Sequence, residues 1–187
     1  MSDTTAQNGS ALDELPGDLM MWVLIISELL VFGAGLAAFL AVRASDPDGF
    51  AQAQDALNRT GAGLNTVILV TSGFFAALAV PWREAGRRMQ VRLALIAAAL
   101  LGVLFLIIKG AEFAQKAALG IGWDTHAFFT FYYLLTGFHA AHVVAGVLIL
   151  LLVAWRDDPR NIEVGASFWH MVDLVWVLLF PVIYLLQ

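Results

Sequence analysis

The sequence predicts an all-α integral membrane protein, a five-transmembrane-helix bundle with its N-terminus in the cytoplasm and its C-terminus outside. Hydrophobic residues make up 60% of the 187 positions and charged residues 13%, whereas about a quarter of residues are charged in a soluble domain. Five apolar stretches reach about 20 residues, the length that a helix needs to cross about 30 Å of hydrocarbon. Runs such as LALIAAALLGVLFLII lack the polar alternation of a β-barrel strand.

Two regions are predicted along the chain. A polar N-terminal tail, residues 1–18, precedes a single five-helix membrane domain, residues 19–187. The tail is acidic and contains no Lys or Arg, so the first apolar stretch is expected to be a permanent span rather than a secretory signal. Pro81 is expected to end the second span, and Pro181 to kink or loosen the end of the fifth. The predicted helices cover about 19–42, 64–82, 91–108, 128–155 and 166–186.

Orientation is predicted from the basic residues. The densest cluster, WREAGRRMQVR, lies in the short loop between the second and third predicted spans. Short basic loops stay in the cytoplasm, which places the N-terminus inside. The chain has no cysteine, and this excludes disulfides and thiolate metal sites. It also lacks a basic patch of the kind that binds nucleic acid.

Glu28 is the first polar residue that demands an explanation. It lies about nine residues, or about 13 Å, into the first predicted helix, and an ionised carboxylate at that depth is unfavourable. We therefore expect a largely neutral carboxyl unless donors or a cation surround it. Two interpretations stay open: a proton-exchanging, carbodiimide-reactive site, or a neutral acid hydrogen-bonded between helices.

Lys109 and Glu112 follow the third apolar run and are three residues apart, which places them on one helix face. We expect an interfacial ion pair in which the lysine snorkels toward the membrane surface. A ligand site is the less favoured interpretation.

The last two spans carry the other buried polar residues. His139 and His142 are three apart in the fourth span, as are His170 and Asp173 in the fifth, and Trp169 adjoins the second pair. Charged groups inside a membrane usually face the bundle interior and find partners there. An interior polar network is therefore expected among Glu112, His139, His142, Trp169, His170 and Asp173.

Three classes of function account for these groups. The first is a non-catalytic subunit of a larger membrane complex, in which the polar groups are structural. The second is an electron carrier or metal protein, with a b-type haem held by His142 and His170. The third is a small proton-coupled transporter that uses Glu28. Di-iron sites of helical bundles use Glu-x-x-His pairs, which are absent here; transporters usually have related halves, and no internal repeat is present.

Five motifs resemble the haem-copper oxidase subunit III family, in the family's order and over nearly the whole chain. They are MWVLIISELLVFGAGLAAFL around Glu28, LNTVILVTSGFFAALAV, KGAEF, TGFHAAHVVAG, and SFWHMVDLVWVLLFPVIYL. The short length, Lys109 three residues before Glu112 and the WHMVDLVWVLLFP ending most resemble the NorE-type accessory subunit associated with nitric oxide reductase. Subunit III of a cytochrome c or quinol oxidase is the alternative.

This resemblance implies a subunit of a respiratory oxidoreductase complex that has no active site or catalytic residue of its own. Its implied partner is a catalytic, haem-bearing membrane subunit, in aerobic electron transport or in denitrification. No metal or cofactor is expected in this chain, whereas phospholipid can bind to it. The implied location is the bacterial inner membrane, with no nucleic acid and no soluble substrate as partners.

The resemblance also implies roles for single residues. Glu28 matches the family's buried, carbodiimide-reactive carboxyl, which is linked to proton uptake and to the integrity of the catalytic partner. His139, His142, Trp169, His170 and Asp173 match positions of an interior network that borders lipid sites. Larger family members have seven spans, and this chain matches the last five. Lys109 departs from the glutamine usual in those members.

Overall fold

A computed structural model describes residues 19–156 and 158–186, so the predicted polar tail lies outside the described residues. The described residues form helices and no strand. The helices are α1 (Leu19–Ser45), α2 (Pro47–Asp55), α3 (Arg59–Glu84), α4 (Arg88–Ala118), α5 (Ala127–Arg156) and α6 (Pro159–Phe180), and a π-helical turn, Pro181–Leu185, follows α6. Five of these segments are long and apolar enough to cross a membrane: α1, α3, α4, α5 and α6 with its π turn.

The spans form an all-helical membrane bundle. Helices α3, α4, α5 and α6 each pack against two of the others, and α1 lies against α5 and α6. Large side chains fill the centre, among them Phe105, Trp169 and Trp176, which are fully buried. An odd number of spans leaves the two ends of the bundle domain on opposite sides of the membrane. Which end is cytoplasmic stays a prediction.

The helices extend beyond the apolar windows from which they were predicted. The prediction ended the third span near residue 108, but α4 continues to Ala118 and includes both Lys109 and Glu112. Pro81 does not end its helix, because α3 continues to Glu84. A proline lacks only its own N–H, and its carbonyl still accepts the amide of Ala85 at 3.1 Å. The prediction followed the length of each apolar stretch, whereas the helices also include the polar residues at their ends.

Pro181 changes the helix type at the end of α6. From this residue the backbone is π-helical, and the amide of Leu186 donates to the Pro181 carbonyl at 2.9 Å. The wider turn lies at the same end of the bundle as α2. Gln54 on α2 donates to the Ile183 carbonyl at 2.8 Å, and Arg43 at the end of α1 donates to the Leu186 carbonyl at 2.5 Å. These bonds fix the C-terminal turn against the first two helices.

Helix α2 lies in the connection between the first two spans. Asp46 caps its first turn by accepting from the amide of Gly49 at 3.1 Å. Phe50 is buried against the aromatic rings of Phe39 and Phe128. Lys116 on α4 donates to the Ala56 carbonyl at 3.0 Å, just after α2 ends. The helix therefore covers one end of the bundle.

Candidate functional site

The predicted network residues do not form one network. They lie in four places, which are the surroundings of Lys109, a Glu28–His142 contact, the indole of Trp169, and a pocket that contains Asp173. Residues three apart on a helix are offset by about 60° around its axis, so the two members of a pair can face different neighbours. His142 faces α1 while His139 faces α4 and α6.

Lys109 is the most enclosed charged residue. Its side chain points into the bundle, and the residue is 1% exposed. Nζ donates to Glu112 Oε2 at 3.0 Å, to the Tyr132 hydroxyl at 3.2 Å and to the Tyr184 hydroxyl. The Tyr184 hydroxyl in turn donates to the Glu112 carboxylate at 3.2 Å. We call these four residues, Lys109, Glu112, Tyr132 and Tyr184, the Lys109 cluster.

Aromatic rings complete the enclosure of the ammonium group. Nζ lies 4.7 Å from the ring centre of Tyr132 and 5.1 Å from that of Tyr184. Phe113 and Trp176 add rings at 5.2 and 5.5 Å. A cation over an aromatic face is stabilised by the ring quadrupole, and more so when water is excluded. The cluster therefore joins α4, α5 and the C-terminal π turn through one cation.

This geometry corrects the expected interfacial pair. Lys109 and Glu112 are indeed paired, but the ammonium group lies inside the bundle instead of snorkelling to the surface. Snorkelling is favoured when no partner is available at depth. Here two tyrosine hydroxyls and a carboxylate supply partners at that depth. The tyrosines lie in other helices, and the spacing of the lysine and the glutamate does not reveal them.

Glu28 lies beside His142, and the two groups link α1 to α5. Glu28 Oε2 is 3.1 Å from Nε2 of His142. The two atoms are in contact, but they do not form a hydrogen bond. Nδ1 of His142 is 2.9 Å from the Phe138 carbonyl, so Nδ1 carries a hydrogen. In the neutral ring, Nε2 is then an acceptor, and it becomes a donor only in the imidazolium form. In that neutral form, the ring nitrogen that faces Glu28 therefore has no hydrogen.

His139 has no hydrogen-bond partner, although it is fully buried. Its ring stacks on Trp176 at 5.2 Å and meets the edge of Phe105 at 5.6 Å. Trp176 also faces Lys109, so His139 adjoins the Lys109 cluster through packing alone. The expected polar role of His139 is therefore absent from the described structure, and the residue acts as an aromatic side chain there.

Trp169 is held by a hydrogen bond and by two glycines. Its indole Nε1 donates to Ser72 Oγ at 3.0 Å, and that hydroxyl donates to the Ala98 carbonyl at 2.7 Å. Gly102 and Gly146 lie against the ring. A Cβ placed at either position would come within 2.6 Å of an indole carbon. Trp169 therefore fixes the spacing of α3, α4, α5 and α6 around one side chain.

His170 and Asp173 lie at a lateral pocket between α3 and α6. The His170 side chain is 45% exposed, and its Nδ1 is 3.9 Å from Asp173 Oδ2, beyond hydrogen-bond distance. His142 faces α1 and His170 faces α3, so these two histidines do not point toward a shared space. This disfavours the b-type haem that the sequence left open. Within residues 19–156 and 158–186, no three His, Asp or Glu side chains converge as metal ligands.

Sequence reasoning missed two residues that complete these contacts: Tyr132 and Tyr184. A signal for the tyrosines was present, because a buried tyrosine hydroxyl normally finds a partner. All three tyrosines of the chain lie in the last two spans. Tyr133 also follows the rule and donates to the Ile121 carbonyl at 2.9 Å. Which partner each hydroxyl takes depends on helix packing, which the sequence alone does not give.

The fold and the sites together define a five-span helical membrane protein whose buried polar groups mostly connect its own helices. Comparison with known proteins gives the family. The family model for cytochrome c oxidase subunit III matches residues 16–187, and the chain belongs to that family.

Individual relatives agree with the family assignment. The chain is 30% identical over 180 residues to cytochrome c oxidase subunit 3 of Thermostichus vulcanus, covering 90% of this chain and 86% of the relative. It is 31% identical over 176 residues to cytochrome c oxidase subunit 3 of Corynebacterium diphtheriae, covering 88% and 86%. A similar relative from Bacillus sp. strain PS3 is 27% identical over 176 residues, with 90% and 84% covered.

Proposed function

We propose that this chain is the subunit III of a haem-copper oxidase in a bacterial inner membrane, where it binds a catalytic subunit that carries haem. One observation carries the proposal: the family match extends over residues 16–187, and the relatives described above are all named cytochrome c oxidase subunit 3. The buried polar groups support it, because most of them connect helices of this chain. In this proposal the chain has no haem, metal or reactive centre of its own.

The relatives favour the oxidase over the NorE-type assignment that the sequence analysis preferred. The feature that favoured NorE is Lys109 three residues before Glu112 in KGAEF. In the structure this pair belongs to an enclosed cluster that holds helices together. Such a cluster serves an oxidase subunit and a nitric oxide reductase subunit equally well. A NorE-type accessory subunit therefore remains the second candidate, and the identity of the partner decides between them.

Glu28 has a defined part in the proposal. We assign it as the proton-exchanging, carbodiimide-reactive carboxyl, with His142 as the group that shares its proton. The support is the 3.1 Å contact and the histidine tautomer that leaves Nε2 facing the carboxyl. Partial exposure of the Glu28 side chain, at 23%, also leaves it open to an apolar reagent in the membrane. Bound phospholipid stays a prediction.

The test is a pull-down from native membranes followed by an optical spectrum. The chain carries an affinity tag, and the membranes are extracted in mild detergent. We expect a dithionite-reduced haem spectrum from the complex, a haem-bearing large subunit by mass spectrometry, and oxygen consumption. Recovery of a nitric oxide reductase subunit would instead select the NorE-type candidate.

The same chain purified alone is the control. It is expected to show no haem band. A stoichiometric b-type band in the isolated chain, lost on His142→Ala or His170→Ala, would contradict the proposal and make this protein an electron carrier.

A further inference from the structure

The pocket between α3 and α6 contains an acid that the residues described in the structure do not satisfy. It has a volume of about 330 Å³. Its lining consists of Val70, Gly73, Phe74, Ala77, His170 and Asp173. Asp173 is the central residue of the span Asn161–Leu185, and the pocket opens sideways, toward the surroundings of the bundle. We call it the α3–α6 pocket.

Asp173 is nearly buried and still lacks a partner. The residue is 8% exposed, and Oδ1 has no hydrogen-bond partner in the described structure. Oδ2 approaches Gly73 so closely that a Cβ at that position would overlap it. His170 is too distant, at 3.9 Å, to satisfy the carboxyl. A buried acceptor without a donor is unfavourable, so the isolated chain is incomplete at this point.

The position of the pocket limits what can complete it. Acyl chains have no hydrogen-bond donors, and mid-membrane polar groups are satisfied by protein or by enclosed water. The α3–α6 pocket is open at its side, where another protein can approach. Ala77 in the lining is exposed, and a small residue at such a position allows two helix backbones to come close.

The rims of the pocket fit a helix. Val67, Val70 and Phe74 on α3 are 63%, 51% and 60% exposed. Leu174 and Leu178 on α6 are 46% and 47% exposed. Spacings of three and four residues place each set along one side of its helix. Exposed apolar residues on two adjacent helices, with a pocket between those helices, can accept a third helix by ridge-into-groove packing.

We propose that the α3–α6 pocket is the docking site for a transmembrane helix of the catalytic subunit, and that this helix donates a mid-membrane hydrogen bond to Asp173. The donor is a hydroxyl, indole, amide or basic side chain. This inference rests on the proposed function and adds the surface and the chemistry by which the partner is recognised.

Photo-crosslinking in the native complex tests the surface. Benzoylphenylalanine replaces Phe74 at the pocket rim or, as the control, Leu148, which is 63% exposed on α5. After irradiation of native membranes, position 74 is expected to give an adduct with the haem-bearing subunit, and position 148 none. An adduct of two copies of this chain, or of lipid alone, from position 74 would overturn the proposal.

The crosslinking result separates two failures. A haem-bearing subunit that co-purifies but crosslinks only from position 148 would leave the proposed function standing and refute this docking surface. Absence of any haem-bearing partner from the purified sample would refute both.

Variants of Asp173 test the hydrogen bond. Asp173→Asn keeps an acceptor of the same shape, and we expect it to retain the partner at the wild-type level. Asp173→Leu removes the acceptor and is expected to reduce recovery of the partner about three- to twentyfold, the range for one interhelical hydrogen bond in a membrane. Equal recovery with both variants would overturn the assignment of Asp173.

Two further measurements keep the result interpretable. The thermal stability of the isolated Asp173→Leu chain is expected to equal that of the wild type, and a marked loss would show that Asp173 serves the fold instead.

Ala77→Trp fills the groove from an exposed position and is expected to abolish partner recovery, whereas Ala111→Trp on the exposed side of α4 leaves it intact. Normal recovery with Ala77→Trp would also refute the docking surface.

Discussion

The Lys109 cluster and the α3–α6 pocket are both polar sites inside one apolar bundle, yet they are completed in opposite ways. Lys109 has three oxygen partners and four surrounding rings. Asp173 has a carboxyl oxygen that finds no hydrogen-bond partner among the described residues, and it lines a pocket. A satisfied group fixes the helices around it, whereas an unsatisfied group at a lateral opening requires something from outside. In our proposal, the difference separates residues that hold this chain together from residues that bind its partner.

The largest effect is expected from breaking the Lys109 cluster. Glu112→Leu leaves the buried ammonium without its only carboxylate, and removing one member of a buried ion pair costs about 3–5 kcal/mol. The free energy of unfolding in detergent, measured by denaturant titration, gives the value.

The double variant Lys109→Met with Glu112→Leu sharpens this prediction. Removing both charges from an apolar surrounding is often neutral, so the double variant is expected to be more stable than Glu112→Leu alone. The single variant Lys109→Met completes the comparison. If the losses of unfolding free energy in the two single variants add up to the loss in the double variant, the pair does not act as a unit.

A smaller effect is expected where Trp169 packs on glycine. Gly146→Ala places a Cβ about 2.5 Å from the indole ring, and overpacking of this kind costs about 1–3 kcal/mol. Gly137→Ala on the same helix is the matched control, because nothing lies within 4 Å of its added Cβ. Thermal unfolding of the two variants side by side provides the comparison, and equal melting temperatures would argue against the close packing of Trp169.

Ser72 and Thr71 offer a finer comparison, between a hydroxyl that bonds to other helices and one that bonds within its own helix. Ser72→Ala removes the acceptor of the Trp169 indole and is expected to lower the free energy of unfolding by about 1 kcal/mol. Its neighbour Thr71 is exposed and bonds only to the Val67 carbonyl of its own helix. Thr71→Ala is therefore expected to change stability little. If both variants lost equal stability, the hydrogen bond between Trp169 and Ser72 would contribute no more to stability than the bond of Thr71 within its own helix.

The smallest effect on stability is expected at Glu28. Its side chain is partly exposed, unlike Lys109, and its carboxyl contacts a histidine of another helix, unlike that of Asp173. Glu28→Gln keeps the size of the side chain and removes the acid. We expect normal folding and loss of carbodiimide labelling, measured by mass spectrometry of the labelled peptide. Labelling that persists elsewhere at the wild-type level would assign the reactive carboxyl to another residue.

Much of the fold could be predicted from the sequence because hydrophobic length identifies a membrane helix almost without reference to its neighbours. The five-span bundle was predicted in this way and is confirmed. The ends were less accurate, as α4 shows, since Lys109 stopped the apolar window but not the helix. Pro81 misled for a related reason, because one missing N–H does not end a helix whose other bonds persist.

The sites were harder to predict because each depends on which helices are neighbours. Spacing placed His139 and His142 on one side of α5, but it did not show that Glu28 on α1 contacts His142. It paired His170 with Asp173, and the structure leaves them 3.9 Å apart. Spacing within one helix shows which residues point together. Partners from other helices, such as Tyr184 for Lys109, depend on the packing of the whole bundle.

One measurement tests the division between the two regions most directly. Glu112→Leu and Asp173→Leu are each purified alone for the free energy of unfolding, and each is also recovered from native membranes for haem content per chain. We predict that Glu112→Leu loses stability in isolation. Asp173→Leu is predicted to keep the stability of the wild type and to lose the haem-bearing partner. Loss of stability in the isolated Asp173→Leu chain, with the partner fully retained, would contradict the account.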